Sequence, residues 1–337
     1  MKFGLYTAVL HDRSIEEALD VIASLGLDAA EINAGGFLPP VHLPLEQILT
    51  SQAARDDYLG LFAERGLHLA GLNANGNPLH PNPAIGPRHA EDLRQAIRAA
   101  SLLGQERVVT MSGLPGGECG ATVPNWIVNA WNSGSLDVLD YQWNEVGLPF
   151  WREIDALAAD HGVKVAIEMH PQNLVFNPPT LKRLVERAGT TNVGAEMDPS
   201  HLFWQGMDPI AAVNYLGPLV LHAAAKDVRI NPDYARIYGV LDERFERIDP
   251  AEERTNLGGH EFAYRWPEDS AWDFVALGRG HGQEFWNAFI AALYTVDPDM
   301  AVNIEHEDVS LGRVEGIQVA AEVLLDAAAA LRQPAGP

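Results

Sequence analysis

The chain has 337 residues, with 46 acidic against 23 basic side chains, a formal charge of −23 and 47% apolar residues. A chain this long buries roughly three quarters of its unfolded surface, which suits one large α/β barrel or two average domains and excludes general disorder. The acidic balance argues against nucleic acid and anionic membrane surfaces as partners, because both need clustered Lys and Arg, and a lone Cys119 excludes a disulfide framework or a Cys-rich metal site.

The N-terminus, Met1-Lys2-Phe3-Gly4-Leu5-Tyr6, lacks the apolar region and small-residue cleavage site of a signal peptide and reads as a first strand. No apolar run is long enough to span a membrane, so the expected location is the cytoplasm. Short apolar runs at Phe3–Ala8, Asp28–Asn33, His68–Asn73, Arg107–Met111, Lys164–Met169, Val193–Met197, Leu219–Ala223 and Ala301–Ile304 predict parallel strands covered on both faces. Helical patterns alternate with them, at Ser14–Leu25, Leu45–Arg65, Arg88–Leu103, Tyr141–His161, Pro179–Ala188, Pro209–Leu216, Gln283–Thr295 and Leu311–Leu331. Gly26, Gly66, Gly104 and Gly162 stand where four of the helices should stop.

Eight strands alternating with eight helices predict an α/β protein, a single (β/α)8 TIM barrel over residues 1–337. Such a barrel needs about 250 residues, and the surplus falls mainly in inserts at 112–140 and 228–281. Both follow strand C-terminal ends, the face that carries barrel active sites. The first insert region carries Trp126, Trp131, Tyr141 and Trp143; the second carries Tyr234, Tyr238, Phe262, Tyr264, Trp266, Trp272 and Phe274. These rings either anchor the inserts or line a sugar-binding cavity. The second insert is expected to cover the mouth or form a partner surface beside it.

The chemistry collects at strand ends. Strand five ends Glu168-Met169-His170, strand six ends Glu196-Met197-Asp198-Pro199-Ser200-His201, and strand eight ends Ile304-Glu305-His306-Glu307-Asp308. Ionised carboxylates at one mouth repel unless a cation sits among them. An oxygen-rich set with an imidazole suits Mn²⁺, Mg²⁺ or Co²⁺. Glu168, Asp198 and Glu305 are therefore expected in one cavity, with carboxylates within about 6 Å of one another.

On these residues the whole chain resembles the xylose-isomerase-like barrel family of sugar phosphate isomerases and epimerases. The resemblance implies metal ligands on strands five, six, seven and eight, and Glu168, Asp198 and Glu305 match three of them. In Asp198-Pro199-Ser200-His201 the resemblance gives His201 contact with substrate oxygens. The family's His-x-Lys-Asp element falls on Ala224-Ala225-Lys226-Asp227, so the third ligand position holds Ala224. Either His222, two residues earlier on the same face, substitutes for it, or Ala224 is an engineered replacement that leaves the chain weakly metal-binding or inactive.

A narrower resemblance rests on Pro124-Asn125-Trp126, Tyr141-Gln142-Trp143-Asn144, Glu168-Met169-His170-Pro171, the Asp198–Gly206 segment and Ile304-Glu305-His306-Glu307-Asp308. These are similar to the large subunit of bacterial C-glycoside deglycosidases, which implies Mn²⁺, a small β-rich partner subunit or a homo-oligomer, and His170 as the base. Isomerisation, epimerisation and β-elimination all begin by removing a proton beside a carbonyl. His170, Glu305 and Glu168 are the candidate bases. His201, Lys226, Trp126 and Asn73 are candidate contacts for a sugar or 3-oxo-glycoside. A partner-dependent or inactive subunit interrupted at Ala224 is the alternative.

Overall fold

The computed structural model describes residues 1–248 and 264–332. Eight parallel strands close into a barrel: Lys2–Tyr6, Ala29–Asn33, His68–Asn73, Arg107–Met111, Lys164–Glu168, Val193–Met197, Val220–Ala225 and Ala301–Ile304. They pair in chain order, and Lys2 beside Ala301 closes the ring. The strands are almost wholly buried because helices cover their outer faces and side chains fill the centre. Trp151, Trp286 and Phe289 of the covering helices are buried in the main core. At the four predicted helix stops φ is positive, from 66° at Gly66 to 77° at Gly26, a conformation that a Cβ disfavours.

Two helices differ from their sequence pattern. The one expected over Leu45–Arg65 breaks into Leu45–Thr50 and Gln52–Ala63. Ser51 between them is extended, and its side chain accepts from Ala54 N, so a capping residue ends one helix by starting the next. The helix expected from Tyr141 begins earlier, at Ser133, and winds as a π-helix over Tyr141–Gly147 before Leu148–His161. The end of the first insert is thus helical.

The second insert opens with Asp227–Ile230, which pairs antiparallel with Trp272–Val275. Asp227 ties the two ends of this excursion together. Its carboxylate accepts from the backbone of Gly278 (3.1 Å), Gly280 (3.1 Å) and His281 (3.0 Å), and His281 Nδ1 lies 2.8 Å away. Trp272 stacks on Trp204 at 5.0 Å, and Trp266 packs edge-on against it at 4.6 Å. Those rings anchor the insert; Phe262 lies outside the described residues. Asp227→Ala would strip the shared acceptor from four backbone donors, these three and Val228 N. We expect it to cost about 3 kcal/mol or more, and to expose the insert to limited proteolysis before the barrel unfolds. Unchanged cleavage would count against Asp227 as the anchor. Among the described residues no helix is long and apolar enough to cross a membrane.

Candidate active site

The end of the fifth strand carries Glu168 to the barrel interior, 1% exposed. Its Oε2 accepts from Asn75 Nδ2 at 2.5 Å. The loop beyond is tightly wound: Gln172 adopts a left-handed φ of 58°, and His170 Nδ1 lies 2.7 Å from the Pro171 carbonyl. A non-glycine residue in that region stores strain, which collects at functional loops. This turn sets the His170 ring 4.1 Å from the His201 ring.

Asp198 follows the sixth strand and caps the short helix Pro199–Phe203, accepting from Ser200 N at 2.7 Å and Ser200 Oγ at 2.9 Å. One turn on, His201 projects back, with Nε2 3.2 Å from Glu168 and 3.4 Å from Asp198. Both contacts are short, yet neither buried ring nitrogen has a well-formed hydrogen bond. Burial, then His170, pushes the His201 pKa down to about 3, which favours a neutral ring with a lone pair to offer. Glu168 is opposed by burial, but His201, His170 and Lys226 outweigh it and lower its pKa to about 2. Burial raises Asp198 to about 7, against the pull of Lys226.

Lys226, at the end of the seventh strand, is buried and reaches Glu307 at 2.5 Å and Glu305 at 3.4 Å. Its ammonium lies 4.5 Å from the ring centre of Phe274, from the second insert, and that ring meets His201 edge-on at 5.7 Å. Burial would depress the Lys226 pKa, but Glu307, Glu305, Asp198 and Glu168 raise it well above the ordinary value. Glu305 also titrates high, from burial first, then Glu168 and Asp198.

The structure therefore brings Glu168, Asp198, His201 and His170 together, with Glu305 on the Lys226 side. The unpartnered His201 Nε2 between two carboxylates fits a divalent cation held by oxygen and imidazole donors. Ala224 offers no donor. His222 is not in this group; its Nε2 lies 2.7 Å from Glu31, deeper in the barrel. Asn73 is fully buried there too, donating to Glu31 at 2.8 Å, away from the mouth. Trp126 lines a separate cleft of about 200 Å³ with Phe176, Gln142 and Arg183, and none of the site carboxylates borders it. Sequence reasoning missed Glu307 and Phe274 as neighbours of Lys226, because only the fold brings the insert and the eighth strand's loop to that ammonium.

Residues 19–327 match the xylose isomerase-like TIM barrel family, and the chain belongs to it. A Bacillus subtilis (strain 168) protein, the uncharacterized protein YfiH, is 35% identical over 96% of this chain and 98% of its own. Two solved structures share the fold. The 3-keto-D-glucoside 4-epimerase YcjR of E. coli superposes with a TM-score of 0.62 at 12% identity, covering 98% of this chain and 99% of its own. A xylose isomerase-like TIM barrel protein from Mycobacterium smegmatis, in complex with magnesium, gives 0.61 at 14% identity, covering 98% and 97%.

Proposed function

We propose that the chain is a divalent-metal-dependent enzyme that removes a proton α to the carbonyl of a sugar or 3-oxo-glycoside. The observation that carries this reading is the buried His201 nitrogen set between Glu168 and Asp198, beside His170 and under Phe274. The 3-keto-sugar epimerase and the magnesium complex among proteins of this fold support it. Glu168, Asp198 and Glu305 would hold Mn²⁺, or Mg²⁺ or Co²⁺, with His201 in reach. When bound, the ion supplies Lewis-acid polarisation of the carbonyl and its neighbouring hydroxyl.

The chain's own groups do the rest. Glu168 stays ionised at neutral pH and can take the C–H proton, as can His170 at the rim. Glu305, with a raised pKa, can return a proton on the opposite side, which is what epimerisation or isomerisation requires. The Lys226 ammonium can hold a substrate oxygen that gains charge. The second insert, through Phe274, covers this side of the mouth and limits water, which strengthens each of these interactions.

The test is turnover of 3-oxo-glucosides and ketoses with added Mn²⁺, followed by product mass. Isomerisation and epimerisation keep the mass; β-elimination releases the aglycone. Ala224→His should tighten Mn²⁺ binding and raise turnover, because it places an imidazole at the third ligand position, facing the mouth. No metal binding and no proton exchange in either form would favour the second reading, an inactive or partner-dependent subunit interrupted at Ala224.

A further inference from the structure

Below the mouth lies a second set of donors that the proposed reaction does not use. Glu196 precedes Asp198 by two residues and His222 precedes Ala224 by two, so each points inward one step deeper on its strand. The two are register partners, and Glu31 of the second strand reaches them. One ligand atom from each of Glu31, Glu196 and His222 lies within 4.8 Å of the others. None of the three side chains is more than 1% exposed.

Hydrogen bonds serve this cluster unevenly. Glu31 is well supplied: His222 Nε2 lies 2.7 Å from one oxygen, Asn303 Nδ2 donates to the same oxygen at 2.8 Å, and Asn73 Nδ2 donates to the other at 2.8 Å. Glu196 has nothing. Neither of its oxygens has a hydrogen-bond partner, and neither do His222 Nδ1 and Asn303 Oδ1. A sealed carboxylate without partners is strongly disfavoured. A proton would remove its charge but leave His222 Nδ1 still without a partner. A divalent cation answers both needs. Donors 2.0–2.6 Å from a shared ion stand up to about 5 Å apart, which matches the observed spacing.

We propose that Glu31, Glu196 and His222 form an interior site for a first-row divalent cation, separate from the mouth. Two carboxylates and an imidazole suit Mn²⁺ or Zn²⁺. Their two negative charges balance the ion. The ion would tie the second, sixth and seventh strands together from inside, so its role is to stabilise the barrel whatever the mouth catalyses.

The experiment loads the full chain with Mn²⁺, removes free metal, and combines metal analysis with anomalous diffraction at the manganese edge. The expected result is an anomalous peak among Glu31, Glu196 and His222. Glu196→Gln should lose that bound Mn²⁺ and melt lower, whereas Asp198→Asn should keep it. If Glu196→Gln does not fold, the map of the unmodified chain decides alone. A manganese peak at the mouth with none among these three residues would overturn the interior site and leave the proposed reaction standing. An interior peak without turnover would do the reverse.

Discussion

Glu168→Gln should reduce α-proton exchange by about 10²–10⁴-fold, the range for loss of a positioned general base, with a further loss if metal affinity falls. Three observations set this size. Glu168 is buried with its pKa held low, it shares His201 with Asp198, and Asn75 fixes its second oxygen. Gln keeps the shape but offers one carbonyl oxygen and an NH₂ where two anionic oxygens stood. Solvent-deuterium incorporation into the substrate measures the step directly, without requiring that the final product be known. Mn²⁺ titration alongside separates the two causes: unchanged affinity with lost exchange marks Glu168 as the base, whereas lost affinity marks it as a ligand. Exchange at the unmodified rate would remove Glu168 from the mechanism.

The barrel was legible because its strands are short, apolar and separated by helices with glycine stops, and a parallel sheet buried on both faces has no other economical reading. The mouth carboxylates were legible for a related reason: Glu168, Asp198 and Glu305 each stand directly after an apolar run. What lay beyond the sequence was depth and facing. Glu31 sits inside the run Ala29-Ala30-Glu31-Ile32 and Glu196 inside Gly194-Ala195-Glu196-Met197, one acid in each strand. Alternation says that each points inward, but only closure of the ring sets them against His222. The same closure assigns His222 to the deeper layer and leaves Ala224 facing the mouth. Ser51 was a missed local signal, a capping residue inside a pattern that otherwise reads as one helix. The reach of Phe274 to Lys226 had no local signal, because the second insert separates them along the chain.

Lys226→Met should destabilise the metal-free protein by about 3–5 kcal/mol, the cost of stranding buried charges whose partner is removed, and lower its Tm by roughly 4–7 °C. Among the described residues Lys226 is the only buried lysine or arginine, while Glu31, Glu168, Glu196 and Asp198 are all buried in the barrel interior and Glu305 stands beside its ammonium. Methionine retains length and apolar bulk against Phe274, so the substitution isolates the charge. The folded-state pKa of Lys226 is raised, so its contribution is complete below the unfolded lysine value of about 10.4 and fades only as the pH climbs through the higher folded value. The difference between the two proteins should therefore be full at pH 7. Towards acid it should shrink for a separate reason, because the surrounding carboxylates take up protons and no longer need the ammonium. Added Mn²⁺ should recover part of the lost stability, since a cation at the mouth neutralises the same carboxylates. Denaturant melts at pH 7 and pH 5, each with and without Mn²⁺, resolve these effects. Equal stability of the two proteins at pH 7 would mean that the carboxylates already carry protons, and that the ammonium is not what holds the mouth together.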